Sequence, residues 1–364
     1  MVKKLRASSA VAQAPHSAKN PTIISLFNHK GGVSKTTTTF NLGWVLAEQG
    51  KRVLIVDGDP QCNLTGMVLG FDGQDDFENF YTRVPLANLC AALQPAFLGQ
   101  PGQLRPATIQ PTLQRNLFVL AGHIDLAAFE AQLAVAFSTG TALPALRNLP
   151  GAVGELLRMT GVEHGIDVIL IDMSPSIGAL NQSLLLCSNH FIVPTSPDYF
   201  CYLAINSLST VLPRWNQGVN HLRGNQIGLS YPLPPNGPEF IGILSQRYRP
   251  RSGNPSASFQ DWIDRIKGAV LDTLIPALAP ENMVISAADF VAAGAPDTPY
   301  NIANIADFNS LIAQSQKHNK PIFALTDDEI ERVGIILDTM GGSRDAFLRV
   351  FRELGQVVAN LAHL

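Results

Sequence analysis

Two lysines, Lys30 and Lys35, flank a short turn that reads Lys30-Gly31-Gly32-Val33-Ser34-Lys35-Thr36-Thr37. These residue types at this spacing suit one task, holding a phosphate. Glycines let the backbone turn tightly and present successive N–H groups to an anion, lysine neutralises charge, and a threonine hydroxyl can ligate Mg2+. The flanking residues supply the scaffold. Thr22-Ile23-Ile24-Ser25-Leu26-Phe27 is a β-branched and apolar run, and Phe40, Leu42, Trp44, Val45, Leu46 and Ala47 follow in a helical pattern that stops at Gly50. A strand, a glycine turn and a helix opening on Lys-Thr-Thr point the positive helix end at the anion. The segment is expected to bind a nucleoside triphosphate.

The general pattern G-x-x-x-x-G-K-[ST] is only partly met, because His29 and Ser34 stand where its outer glycines would be. A dinucleotide-binding turn is excluded, since G-x-G-x-x-G is absent and lysines occupy its glycine positions. Two more segments end apolar strands in carboxylates. One is Lys51-Arg52-Val53-Leu54-Ile55-Val56-Asp57-Gly58-Asp59-Pro60-Gln61-Cys62-Asn63-Leu64-Thr65, and the other is Ile166-Asp167-Val168-Ile169-Leu170-Ile171-Asp172-Met173-Ser174-Pro175-Ser176. A further strand and loop follow in His190-Phe191-Ile192-Val193-Pro194-Thr195-Ser196-Pro197-Asp198-Tyr199. In this order the motifs resemble the ParA/MinD family of ATPases. Lys-Gly-Gly-x-x-Lys-Thr is similar to its deviant Walker A motif, D-x-D-P-Q-x-N-x-T matches at 57–65, and 168–176 resembles its Walker B strand and switch. The resemblance covers roughly residues 21–70 and 117–210. Ser34 departs from it, standing where relatives usually have glycine, and Ser174 stands where many have proline.

The resemblance implies a Mg2+-dependent ATPase that works as an ATP-driven dimerisation switch. Lys35 would bind the β/γ-phosphates, the backbone from Gly31 through Val33 and Ser34 to Thr37 would form the cradle, and Thr36 would hold Mg2+. Asp59 would position the attacking water and Asp172 would support the Mg2+ shell. Lys30 would reach the phosphates of the opposing copy in a homodimer with ATP sandwiched between subunits. A Cβ at Ser34 is expected to strain the turn or crowd the phosphates, and so to slow hydrolysis.

The wider chain, 364 residues with 46% hydrophobic composition, can bury a substantial core. Strand-like runs at 22–27, 53–57, 117–121, 168–172, 190–194 and 240–244 alternate with helical or irregular stretches. This predicts an α/β fold, a mostly parallel sheet with helices on both faces. Residues 1–20 read as a flexible basic tail, 21–364 as one domain, and 71–116 as an insertion that opens with acids and continues with prolines. Cys62, Cys90, Cys187 and Cys201 show no metal or disulfide spacing. No apolar run reaches the length of a transmembrane helix, and a cytoplasmic, nucleoid-associated protein is expected.

Net charge is −3, but residues 205–267 carry an excess of four positive charges, densest at Arg247-Tyr248-Arg249-Pro250-Arg251. Arg247, Arg249 and Arg251 are therefore candidate contacts to DNA phosphates, the alternatives being a solvated mixed-charge surface or a site for an acidic partner. Residues 344–364 place Phe347, Val350, Phe351, Leu354, Val357, Val358 and Leu361 on one stripe, read as a helix packed on the sheet rather than on a membrane. Two functional classes remain open. One is DNA partition or cargo positioning with a ParB-like partner, and the other is a regulatory ATPase subunit that holds or releases an effector protein without a DNA track.

Overall fold

The computed structural model describes residues 19–364 except 101, 140–142, 144–145, 225, 249, 252–253, 296–299 and 309–310. Ten strands are β1 (Thr22–Leu26), β2 (Val53–Asp57), β3 (Gln110–Pro111), β4 (Leu117–Leu120), β5 (Val168–Asp172), β6 (His190–Thr195), β7 (Glu239–Tyr248), β8 (Pro250–Arg251), β9 (Asn254–Pro255) and β10 (Asn301–Ala306). Eight of them form one sheet in the order β10-β7-β6-β1-β5-β2-β4-β3, parallel throughout except for β3 at the edge. β8 and β9 form a separate small hairpin.

The connections are helical, as parallel pairing requires. They are α1 (Lys35–Glu48), α2 (Asn63–Leu69), α3 (Gln74–Arg83), α4 (Leu89–Phe97), α5 (Phe129–Thr139), α6 (Leu149–His164), α7 (Ala179–Leu186) and α8 (Tyr199–Gly218). The later ones are α9 (Asn220–Arg223), α10 (Ala257–Ala269), α11 (Ile275–Leu278), α12 (Ala287–Ala292), α13 (Leu311–His318), α14 (Asp327–Ile330) and α15 (Ile335–Leu361). α1, α2 and α15 pack together on one side of the sheet, while α4, α5, α6, α7 and α8 form the other layer. β1, β2 and β5 are buried, and their continuous apolar runs are what a strand covered on both faces demands.

The strand period then places the acids. At Gly43 of α1 a Cβ would meet Ile55, Leu117 and Leu170, so these side chains face α1. Asp57 and Asp172 lie two residues beyond Ile55 and Leu170 and, by the period of two, share that face. They sit opposite each other in register, on the side where α1 begins.

Five expected strands appear nearly as read, and β7 runs four residues past its expected end at 244. β10 was not expected. Segment 71–116 holds α3, α4 with Pro95 inside it, and β3. The C-terminal stripe is confirmed and longer than read: α15 starts at Ile335 and buries Phe347, Phe351, Leu354, Val357, Val358 and Leu361 against α1 and β10. Gln49, just after α1, donates to the Arg352 carbonyl across that seam. Among the described residues no helix is long and apolar enough to cross a membrane. The basic tail lies, up to residue 18, outside the described residues.

Candidate nucleotide-binding site

The turn between β1 and α1 sits at the sheet centre, where β1 is flanked by β5 and β6. Asn28, fully buried, fastens its base by donating to the Pro194 carbonyl and accepting from Lys30 N–H. Two residues of the turn adopt the left-handed region, Gly32 at φ 73° and Ser34 at φ 60°. Glycine does so freely. Serine does not, and its side chain makes no capping hydrogen bond at the start of α1. The sequence expectation of a strained turn at Ser34 is thus met in the backbone, at a cost of about 1 kcal/mol.

Lys35 is not solvent-facing as a free phosphate ligand would suggest, being only 7% exposed. Its Nζ donates to the carbonyls of Asn28 at 2.9 Å and Lys30 at 3.2 Å. Burial lowers its pKa, against the opposing pull of Asp172 and Asp59. Lys30 instead pairs with Asp198 at 3.0 Å, on a partly exposed surface. Asp198 also accepts from Cys201 N–H and so caps α8. Lys30 is thus held within its own chain.

A cleft of about 1160 Å3 opens over the turn and is lined by Gly31 to Thr37, Asp59, Gln61, Met173 and Pro175. Its far wall comes from α2, from Phe71 and Phe77 at the start of segment 71–116, and from Gln316, Lys317 and Asn319 at the end of α13. Asp59, 6% exposed, accepts from Gln61 N–H, which leaves its second oxygen free of any such tie within that turn. Asp172 is fully buried, and neither carboxylate oxygen has a hydrogen-bond partner among the described residues. Desolvation and the neighbouring Asp57 raise its pKa, while Thr36 and Lys35 oppose this. A bare buried carboxylate beside a threonine hydroxyl is a fitting seat for a hydrated Mg2+.

Asp57 looks similar in sequence but serves a different end. Its carboxylate accepts from Thr65 N–H at 2.8 Å, Thr65 hydroxyl at 2.6 Å and Asp59 N–H at 3.3 Å, which ties β2 to α2. Burial pushes its pKa up to about 6 in spite of these bonds.

In the basic cluster, Arg247 is exposed and its Nη1 donates to the Gly32 carbonyl at 2.6 Å, over the turn itself. Arg223, counted in the same positive segment, is bound internally by the Pro234 carbonyl and the Asn216 side chain. Arg249 lies outside the described residues, and of Arg251 only the backbone, in β8, is described. Sequence reasoning also missed Gln246, which is buried and bonded to Thr38, and Asp198. A signal existed for Asp198, since an Asp before a helical run is a standard cap. None existed for Gln246.

The family model described as "AAA domain" (AAA_31) matches residues 21–222, more than half of the chain. An uncharacterized protein of Mycobacterium tuberculosis is 29% identical over 264 residues, covering 72% of this chain and 70% of that protein. The chromosome-partitioning ATPase Soj of Thermus thermophilus is 32% identical over 197 residues, covering 54% of this chain and 64% of Soj. Among solved structures, the ATP complex of a Cyanothece McdA variant has a TM-score of 0.58 over 94% of this chain and 96% of that one. At 14% identity that likeness speaks for the fold alone. The eight-stranded sheet, the Lys30–Thr37 turn and the family match agree: this chain belongs to the ParA/MinD-type P-loop ATPases.

Proposed function

We propose that the chain hydrolyses ATP at the Lys30–Thr37 turn and uses the bound nucleotide as a dimerisation switch, in DNA partition or cargo positioning. The observation that carries this reading is the convergence of Lys35, Thr36 and Asp59 on one cleft, with bare Asp172 buried next to Thr36. Lys35 exchanges its two carbonyl partners for β/γ-phosphate oxygens, and the N–H groups of 31–37 complete the cradle. Mg2+, held by Thr36 and supported by Asp172, would neutralise charge on the phosphate oxygens. Asp59 orients the attacking water with its open oxygen. Lys30, released from Asp198, meets the nucleotide of a second copy. Exposed Tyr199 and Phe200, which follow Asp198 in the chain, offer apolar surface for the face-to-face contact. The name of the Thermus ATPase Soj supports the ATPase reading.

Asp59→Ala tests the switch. Light scattering should show a persistent ATP-dependent dimer with turnover lost, whereas a monomer in ATP, or normal turnover, would contradict it. DNA binding by that dimer should fall steeply with salt and ignore sequence. The second reading is a regulatory ATPase subunit acting on an effector protein. A dimer with no DNA affinity at low salt would select it.

A further inference from the structure

The end of β7 reaches across β6 to the phosphate-binding turn, and it does so through an irregularity in its pairing. Ile305 of β10 lies opposite Gln246 and Ala306 lies opposite Tyr248, which leaves Arg247 as an extra residue in β7. Arg247 adopts φ 63°, a left-handed conformation that arginine rarely takes. A bulge of this kind re-aims a side chain. Here it sends the guanidinium onto the Gly32 carbonyl. The preceding residue acts on the same turn: Gln246 Nε2 donates, at 3.4 Å, to the Val33 carbonyl, and its Oε1 accepts from the Thr38 hydroxyl at 2.9 Å.

Two successive peptide units of the turn are thus held from β7. A trans peptide is planar, with its C=O and N–H pointing opposite ways. Fixing the Gly32 carbonyl therefore fixes the Val33 N–H pointing away from Arg247, and fixing the Val33 carbonyl does the same for the Ser34 N–H. A cation on the carbonyl also polarises the peptide and strengthens the N–H as a donor. The arrangement has a clear use in a turn whose left-handed Ser34 would otherwise favour relaxation to another conformation.

We propose that Arg247, aimed by the β7 bulge, is a positioning residue of the nucleotide site, which fixes and polarises the Gly32–Val33 peptide so that the Val33 N–H is ready for a phosphate of a nucleoside di- or triphosphate. The proposal rests on the nucleotide-binding reading above. Because the N–H belongs to the cradle common to both nucleotides, ATP and ADP are affected alike.

Calorimetric affinities for Mg2+–ATP and ADP in the wild-type chain, Arg247→Ala and Arg247→Lys test it, with kcat and KM for ATP. Arg247→Ala should weaken both nucleotides by about tenfold and raise KM by a similar factor, leaving kcat within about twofold. Arg247→Lys, still a cationic donor, should regain most of the loss, which a general packing defect would not allow. Unchanged affinities in Arg247→Ala would overturn the proposal, as would a loss confined to ATP, which would mark a direct γ-phosphate contact. Loss of DNA affinity with nucleotide affinity intact would overturn it in favour of a DNA contact. A wild-type chain that binds neither nucleotide would remove the nucleotide reading itself, and the proposal with it.

Discussion

The ends of β2 and β5 lie side by side, with Asp57 opposite Asp172, both on the face of the sheet where α1 begins. Both carboxyls are fully buried and both have raised pKa values, yet only one is satisfied. Asp57 takes three donors from the β2–α2 connection, and the Thr65 hydroxyl goes on to accept from Gly122 N–H beyond β4. Asp172 takes none among the described residues. A buried acid that closes a network holds structure together. A buried acid left bare is a cost that folding alone does not explain, and it marks where a ligand is expected.

Removing each acid separates the two roles. The largest effect on stability is expected for Asp57→Ala, which strands three buried donors. Set against relief of the desolvated charge, it should cost roughly 2–3 kcal/mol in chemical denaturation. A cost under about 0.5 kcal/mol would show the network to be incidental.

The same residue carries a pH signature. With its folded pKa raised to about 6, the native state keeps a proton that the unfolded chain has released. The Asp57 contribution is therefore full below about pH 4 and is lost as pH rises through about 6. Asp57→Asn, which keeps an acceptor without the charge, should flatten the stability profile across that window, and an unaltered slope would assign it to other groups.

Asp172→Asn should behave in the opposite way from Asp57→Ala. Nucleotide-free stability near neutral pH should change by less than about 1 kcal/mol, because burial already keeps this carboxyl largely protonated and no donor is left stranded. The dependence of ATP affinity on Mg2+ should disappear. A destabilisation equal to that of Asp57→Ala would erase the distinction between the two strand ends.

Ser34→Gly is the mildest change. It frees a left-handed serine, offset by the greater freedom glycine has in the unfolded chain, and should stabilise the protein by up to about 1 kcal/mol. Turnover should rise with ATP affinity little changed. Equal or slower single-turnover hydrolysis would show that the strained serine is no brake.

How much of this was legible in the sequence follows from what each residue depends on. β1, β2 and β5 were readable because apolar runs ending in polar residues carry their own signal. β10 was not, since Asn301 and Asn304 interrupt its apolar pattern, and buried Asn301 is satisfied by accepting from the Ser245 hydroxyl on the neighbouring strand. The last residues of β7 were missed for the same reason. The motif residues around 28–37 and 57–65 could be assigned by type and spacing, but the unequal treatment of Asp57 and Asp172 could not, because it depends on whether donors from distant segments arrive. That exposed Arg247 lies over the turn was not legible, because composition cannot register a bulge, and the bulge decides where that charge goes.

Mg2+–ATP titrated calorimetrically into the wild-type chain and into Lys35→Ala, with melting temperatures recorded for both, bears on all of these points. Lys35 is tied to the Asn28 and Lys30 carbonyls, so its loss should loosen the turn without unfolding the sheet. The expected result is saturable binding by the wild-type chain and affinity lower by at least about a hundredfold in a variant that still melts cooperatively. Equal affinity in the two folded proteins would contradict the assignment of the turn as the phosphate site.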